Sequence, residues 1–193
     1  MSDYPFQLGS YLFLTPQLSS SIMQTPVPEH VHSTGIYEVH YITSGYGTLI
    51  ASGRRFDLYP GILYVTGPHI PHSQLLPKQN PMAEACIYYK AAPITGKPSA
   101  GPLAKSEDAV VRVLLDHPFW IGRDNQNMRP LLENIFTEME QNGPDADIMV
   151  SCYLKQLVLL LVRNMRDNQQ MHGNGNTPAA GEIDLNKQTL LSD

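Results

Sequence analysis

From residue 37 to residue 90 the chain repeatedly runs in short alternating segments and then turns, and few folds accept that pattern. YEVHYITSG (37–45) alternates with the period of a strand and closes in a turn. GTLIAS and RRFDLY flank Gly53 as the two arms of a hairpin, and GILYVTGP and AEACIYYK supply two further strands. Side chains alternate between the two faces of a strand, so each segment has an inner and an outer side. Several such strands at this spacing make a sandwich or a small barrel.

The texture changes after residue 95. PITGKPSAGP (93–102) reads as a loop, and SEDAVVRVLLDH as a helix with Ser106 as its N-cap. RPLLENIFTEMEQN places Leu131, Leu132, Ile135, Phe136 and Met139 at helical spacing, and Asn142-Gly143-Pro144 ends it. Asp145 or Asp147 can cap the next helix, which is long, and its stretch 157–162 is apolar on every side. Such a helix must be buried on more than one face. One face on the sheets and another on a second subunit satisfies that, with Leu154, Leu157, Val158, Leu161 and Met165 as the dimer residues. HGNGNTPAAGE (172–182) has the composition of a flexible linker. IDLNKQTLLSD then starts a new periodic segment, which suggests that the natural chain continues.

Charge and cysteine usage narrow the function. A net charge of −5 argues against this segment wrapping nucleic acid by itself, because phosphate binding needs clustered Lys and Arg. The N-terminus has no secretory signal, and the apolar run 157–162 is too short to cross a bilayer. Cys86 and Cys152 are then expected to be reduced, buried and inert in a cytoplasmic protein. Phosphate loops, Gly-x-Ser-x-Gly elbows and Cys-x-x-Cys pairs are absent from the sequence, so nucleophilic catalysis has no candidate.

The chemistry is concentrated in histidines. His30 and His32 share a strand face, and Glu38 and His40 share one on the next strand. His69 and His72 follow in GILYVTGPHIPHS. Imidazole nitrogens with a carboxylate suit Zn, Fe, Mn, Ni or Cu, and they equally suit hydrogen bonding to a small molecule. The candidate pocket is His30, His32, Glu38, His40, Tyr64 and His72, with Tyr88 a further neighbour. Tyr37 and Tyr41 point to the opposite face, His69 lies in a turn, and Trp120 is a core or interface residue.

These residues resemble the two motifs of the cupins. His30, His32, Glu38 and Gly45 follow the order of the first motif, and Gly61 and His72 the span of the second. Gln24, Gly67, His69 and Leu76 depart from the pattern. The resemblance implies a metal set of His30, His32, Glu38 and His72. A cupin followed by a helical pair and a linker is similar to the N-terminal half of AraC-family transcriptional regulators. That likeness implies a mostly β fold with C-terminal helices, a cupin-type double-stranded β-helix (jelly-roll) barrel followed by a helical dimerisation pair. It also implies three regions: a barrel with a short N-terminal arm (1–95), a helical dimerisation segment packed on it (96–171), and a linker with the start of a missing helix-turn-helix domain (172–193). The implied role is effector sensing by a homodimer that reaches DNA only through the missing domain. The alternative is a free-standing metal-dependent cupin enzyme, an oxygenase or isomerase.

Overall fold

The computed structural model describes residues 3–77, 81–96 and 101–173, with side chains to residue 167 in the last segment. Among the described residues, ten strands form two sheets. The larger runs β1 (Phe6–Leu8), β2 (Tyr11–Met23), β9 (Met82–Pro93), β4 (Ile36–Ser44), β7 (Ile62–Thr66) and β10 (Phe119–Arg123). The smaller runs β3 (Val27–His30), β8 (His72–Leu75), β5 (Gly47–Ala51) and β6 (Arg54–Leu58). All ladders between these strands are antiparallel.

Neither sheet closes, so the expected jelly-roll barrel is not formed. Each sheet is an open row, ending at β1 and β10 in one case and at β3 and β6 in the other. A barrel requires hydrogen bonding to continue round the whole ring of strands. Here strands of 13 and 12 residues in the larger sheet face strands of four or five in the smaller. The mostly β character with C-terminal helices holds; the architecture is a sandwich of two open sheets.

Strand parity sorts the side chains into two cores. Ile42, Tyr64 and Met82 of the larger sheet pack with Leu49, Ala51, Phe56 and Leu58 of the smaller. The opposite face of the larger sheet carries Tyr37, Val39, Tyr41, Leu63, Val65, Ala85, Ile87 and Tyr89. That face is covered by the helices α1 (Pro102–Asp116), α2 (Arg129–Gln141) and α3 (Ala146–Gly173). The molecule therefore has three layers: small sheet, large sheet, helices.

The helical segment differs from expectation in four places. Phe119–Arg123 is a strand, paired with β7 through Trp120↔Val65, because a short apolar run can complete a sheet edge that the helices leave open. Helix α1 begins at Pro102, so Ser106 lies inside it and its hydroxyl donates to Pro102 O rather than capping the start. Leu154, Leu157, Val158, Leu161 and Met165 are all buried by this chain's own core, none more than 3% exposed. Their burial is supplied by the larger sheet and the other helices, and none is open to a partner. Cys152, expected to be buried, is exposed on the other side of α3. The stretch Ala146–Asp167 is long and apolar enough to cross a membrane by length and composition, and its apolar side is the one turned into this core. Residues 172 and 173 continue α3; the rest of the expected linker and new segment lies outside the described residues.

Candidate functional site

The inner faces of the two sheets carry buried polar groups where a sandwich normally carries only apolar ones. The smaller sheet and its flank contribute His30, His32, His72 and Gln74; the larger contributes Glu38, His40, Tyr64, Thr66, Glu84 and Cys86. Cross-strand pairing explains the convergence. His30 is opposite His72, Glu38 opposite Thr66 and Tyr88, and His40 opposite Tyr64 and Cys86.

Glu38 is the hub. Its Oε2 lies 3.0 Å from His32 Nε2, 3.1 Å from His40 Nε2 and 3.7 Å from His72 Nε2. Burial alone would raise its pKa, but the hydrogen bond and the charge of His40 hold it far below the usual carboxylate range. The two neighbouring imidazoles respond in opposite directions. Burial lowers the His32 pKa, and the Glu38 charge offsets only part of that. Burial would lower the His40 pKa too, but the acidic groups Cys86, Tyr64 and Glu84 around it raise it well above the imidazole range. His40 then donates from both nitrogens, Nε2–H to Glu38 and Nδ1–H to Glu84 at 3.3 Å.

Two of the other histidines, His30 and His72, present lone pairs. His72 Nδ1–H donates to Ile70 O at 2.9 Å and His30 Nδ1–H to Pro28 O at 3.0 Å. Each backbone carbonyl assigns the tautomer that makes Nε2 an acceptor, which in His72 faces the Thr66 hydroxyl at 3.4 Å. His32 Nε2 lies in ion-pair range of Glu38 but without hydrogen-bond geometry, and this buried nitrogen has no hydrogen-bond partner. One ligand atom from each of His30, His32, Glu38 and His72 lies within 4.8 Å of the others. A convergent set of acceptors with one orphaned nitrogen fits a divalent transition metal, and the backbone tethers are the outer contacts that metal-binding imidazoles use.

The expected pocket residues are thus brought together, His40 and Tyr64 included; their rings stack at 4.4 Å. Tyr88 meets His32 edge to face at 5.6 Å. His69 is outside the cluster: exposed, at φ +62, and hydrogen-bonded to Thr34. Four residues had escaped the sequence reading: Thr66 and Cys86, which line the inner face of the larger sheet, and the pair Gln74 and Glu84. Gln74 Nε2 donates to Tyr64 Oη and, at 2.7 Å, to Glu84 Oε2, tying the sheets together beneath the histidines. This pair was legible by parity, Gln74 two residues beyond His72 and Glu84 two before Cys86.

The model of the AraC-like ligand binding domain matches residues 19–158, most of the chain and all of the residues above. The chain belongs to this family. It is a ligand-binding domain of the AraC type, and its role is regulatory rather than catalytic. Among solved structures, the fatty-acid-bound ToxT of Vibrio cholerae strain SCE256 is 11% identical, covering 84% of this chain and 57% of that one with a TM-score of 0.49. A cupin protein from Bacteroides fragilis is 19% identical over 50% of this chain and 76% of its own, with a TM-score of 0.34. A predicted oxalate decarboxylase from Thermotoga maritima is 15% identical over 42% of this chain and 80% of its own, with a TM-score of 0.37. No curated protein matches.

Proposed function

We propose that a small effector binds between the sheets on His30, His32, Glu38 and His72, with His40 and Tyr64 as the inner wall. The observation that carries this reading is the excess of acceptors: two tethered imidazoles, an orphaned nitrogen and a carboxylate all face one point. Such a site favours a ligand rich in hydroxyl or amino donors, or one attached through a metal. If Zn, Fe, Mn, Ni or Cu binds there, it supplies a Lewis-acidic point with room for an oxygen of the effector. Partial exposure of His30, Glu38 and Tyr88 gives the effector its way in.

Strand β4 would carry the signal. Glu38 and His40 project to the effector side, while Tyr37, Val39 and Tyr41 press on the helical layer from the other. An effector that prefers one arrangement of β4 therefore biases α3, and through it the DNA-binding part of a cytoplasmic regulator. The partner in that regulator is a second copy. With Leu154, Leu157, Val158, Leu161 and Met165 used internally, the dimer contact falls on the opposite stripe of α3, where Ile148 is 67% exposed and exposed Cys152 follows one turn on.

The test is a thermal-shift screen of sugars, polyols and amino compounds, with and without added zinc. A true effector raises the melting temperature of the native chain and has no effect on His30→Ala or Glu38→Gln. An effector that stabilises Glu38→Gln equally well would remove the basis of this reading.

A further inference from the structure

Cys86 lies on the inner face of β9, directly across from His40 on β4. Its Sγ is 4.0 Å from His40 Nε2, the same nitrogen that sits 3.1 Å from Glu38 Oε2. These three donor atoms lie within 4.8 Å of one another. A tetrahedral zinc with bonds of about 2.0 Å to N and O and about 2.3 Å to S needs edges of about 3.3 and about 3.6 Å. The observed spacings come within a few tenths of an ångström of both.

The imidazole is also held from two sides, and both holders are themselves anchored. Glu84 accepts from Nδ1, the Tyr64 ring stacks on it at an interplanar angle of 8°, and Gln74 anchors both Glu84 and Tyr64. A carboxylate on the far nitrogen of a fixed ring is the support that metal-binding histidines commonly have. What remains open to His40 is the direction of Nε2, toward Cys86 and Glu38.

We propose that His40, Cys86 and Glu38 form a second metal site, which shares only Glu38 with the four-donor set, for a thiophilic divalent ion of the zinc class. Thiolate and imidazole donors select such an ion over magnesium or calcium. Binding displaces the Cys86 thiol proton and the His40 Nε2 proton to solvent, and Glu38 turns from hydrogen-bond acceptor to ligand. Because Glu38 faces both sets, it can serve either ion or bridge the two. The site uses no residue of the outer histidine triad, so it stands whether or not the effector reading does.

The experiment is a cobalt(II) titration of the full chain carrying Cys152→Ser, which leaves Cys86 as its sole thiol. The expected result is a near-ultraviolet sulfur-to-cobalt band that saturates at a single equivalent. It persists in His30→Ala and vanishes in Cys86→Ser. No band, a band that survives Cys86→Ser, or one lost with His30→Ala overturns the proposal. The unmutated chain supplies a second measurement that needs no variant to fold. Zinc should slow alkylation of Cys86 by about tenfold or more, followed by peptide mass, while exposed Cys152 reacts as before. Equal rates for Cys86 with and without zinc also overturn it. The effector screen with His30→Ala reports on the outer set alone and the thiol readouts on Cys86 alone, so failure of either proposal can be told from failure of the other.

Discussion

Glu38 shows how one side chain draws its properties from its neighbours. Three imidazoles crowd a single carboxylate oxygen, and the folded protein keeps the group ionised. Its folded pKa is lowered, so its contribution to stability is fully present above its ordinary 4.5 and is lost as pH falls below it. The melting temperature of the native chain should therefore drop more steeply from about pH 5 to about pH 3 than that of Glu38→Gln, measured by calorimetry. Parallel profiles would mean that Glu38 is not the group that titrates. Asp124 plays a similar organising role on the helical side. It accepts from Tyr41 Oη, the backbone nitrogens of Gln126 and Met128, and Asn164 Nδ2, while burial and Asp124 push the Tyr41 pKa up to about 12. Asp124→Ala strands these donors and should cost about 2–3 kcal/mol in denaturant unfolding. The histidines were legible in the sequence because His-x-His and strand parity are local rules. Asp124 was not, since its donors come from residues far away along the chain as well as from its own loop.

At the scale of elements, turns and helices make separate predictions. Gly45 turns β4 into β5 at φ +72, and an added Cβ would fall 2.1 Å from Pro81 O. Gly45→Ala meets both a left-handed backbone and a backbone oxygen that cannot move aside, and should lose about 2–4 kcal/mol. Helix α3 tests the two uses of its apolar surface. Leu161 is fully buried within the chain, so Leu161→Ala should cost about 3 kcal/mol at every protein concentration. Ile148→Glu, on the exposed stripe, should leave the midpoint of a dilute sample unchanged and lower the mass seen by sedimentation. If Leu161→Ala instead changes mass and spares stability, the buried side of α3 has been misassigned. The strands β4 to β7 and β9, and the end of α2 at Asn142, were readable because alternation and turn chemistry act over a few residues. Strand β10 was not: five residues after a helix carry no alternation long enough to outweigh their helical surroundings, and only the free edge of β7 makes them extended.

For the whole molecule, the arrangement in three layers puts recognition and output on the two faces of one sheet. An effector held between the sheets should stabilise the chain by about 2.7 kcal/mol at a hundred times its dissociation constant. It should also slow amide exchange in α3, read by hydrogen-exchange mass spectrometry. Protection confined to the sheets would show that β4 does not pass the signal on. Alternation and helical period determined strands β4 to β7 and β9 and the three helices, and the histidine spacing determined which side chains share a face. Both are properties of the local backbone and need no partner. Closure, burial and proximity belong to the tertiary structure alone. The barrel became two open sheets because hydrogen bonding along a sheet stops where no neighbour aligns. The apolar helix found its second cover in its own chain because α1, α2 and the large sheet already surround it. Cys86 met His40 because register, which depends on every strand between them, set the two residues opposite each other.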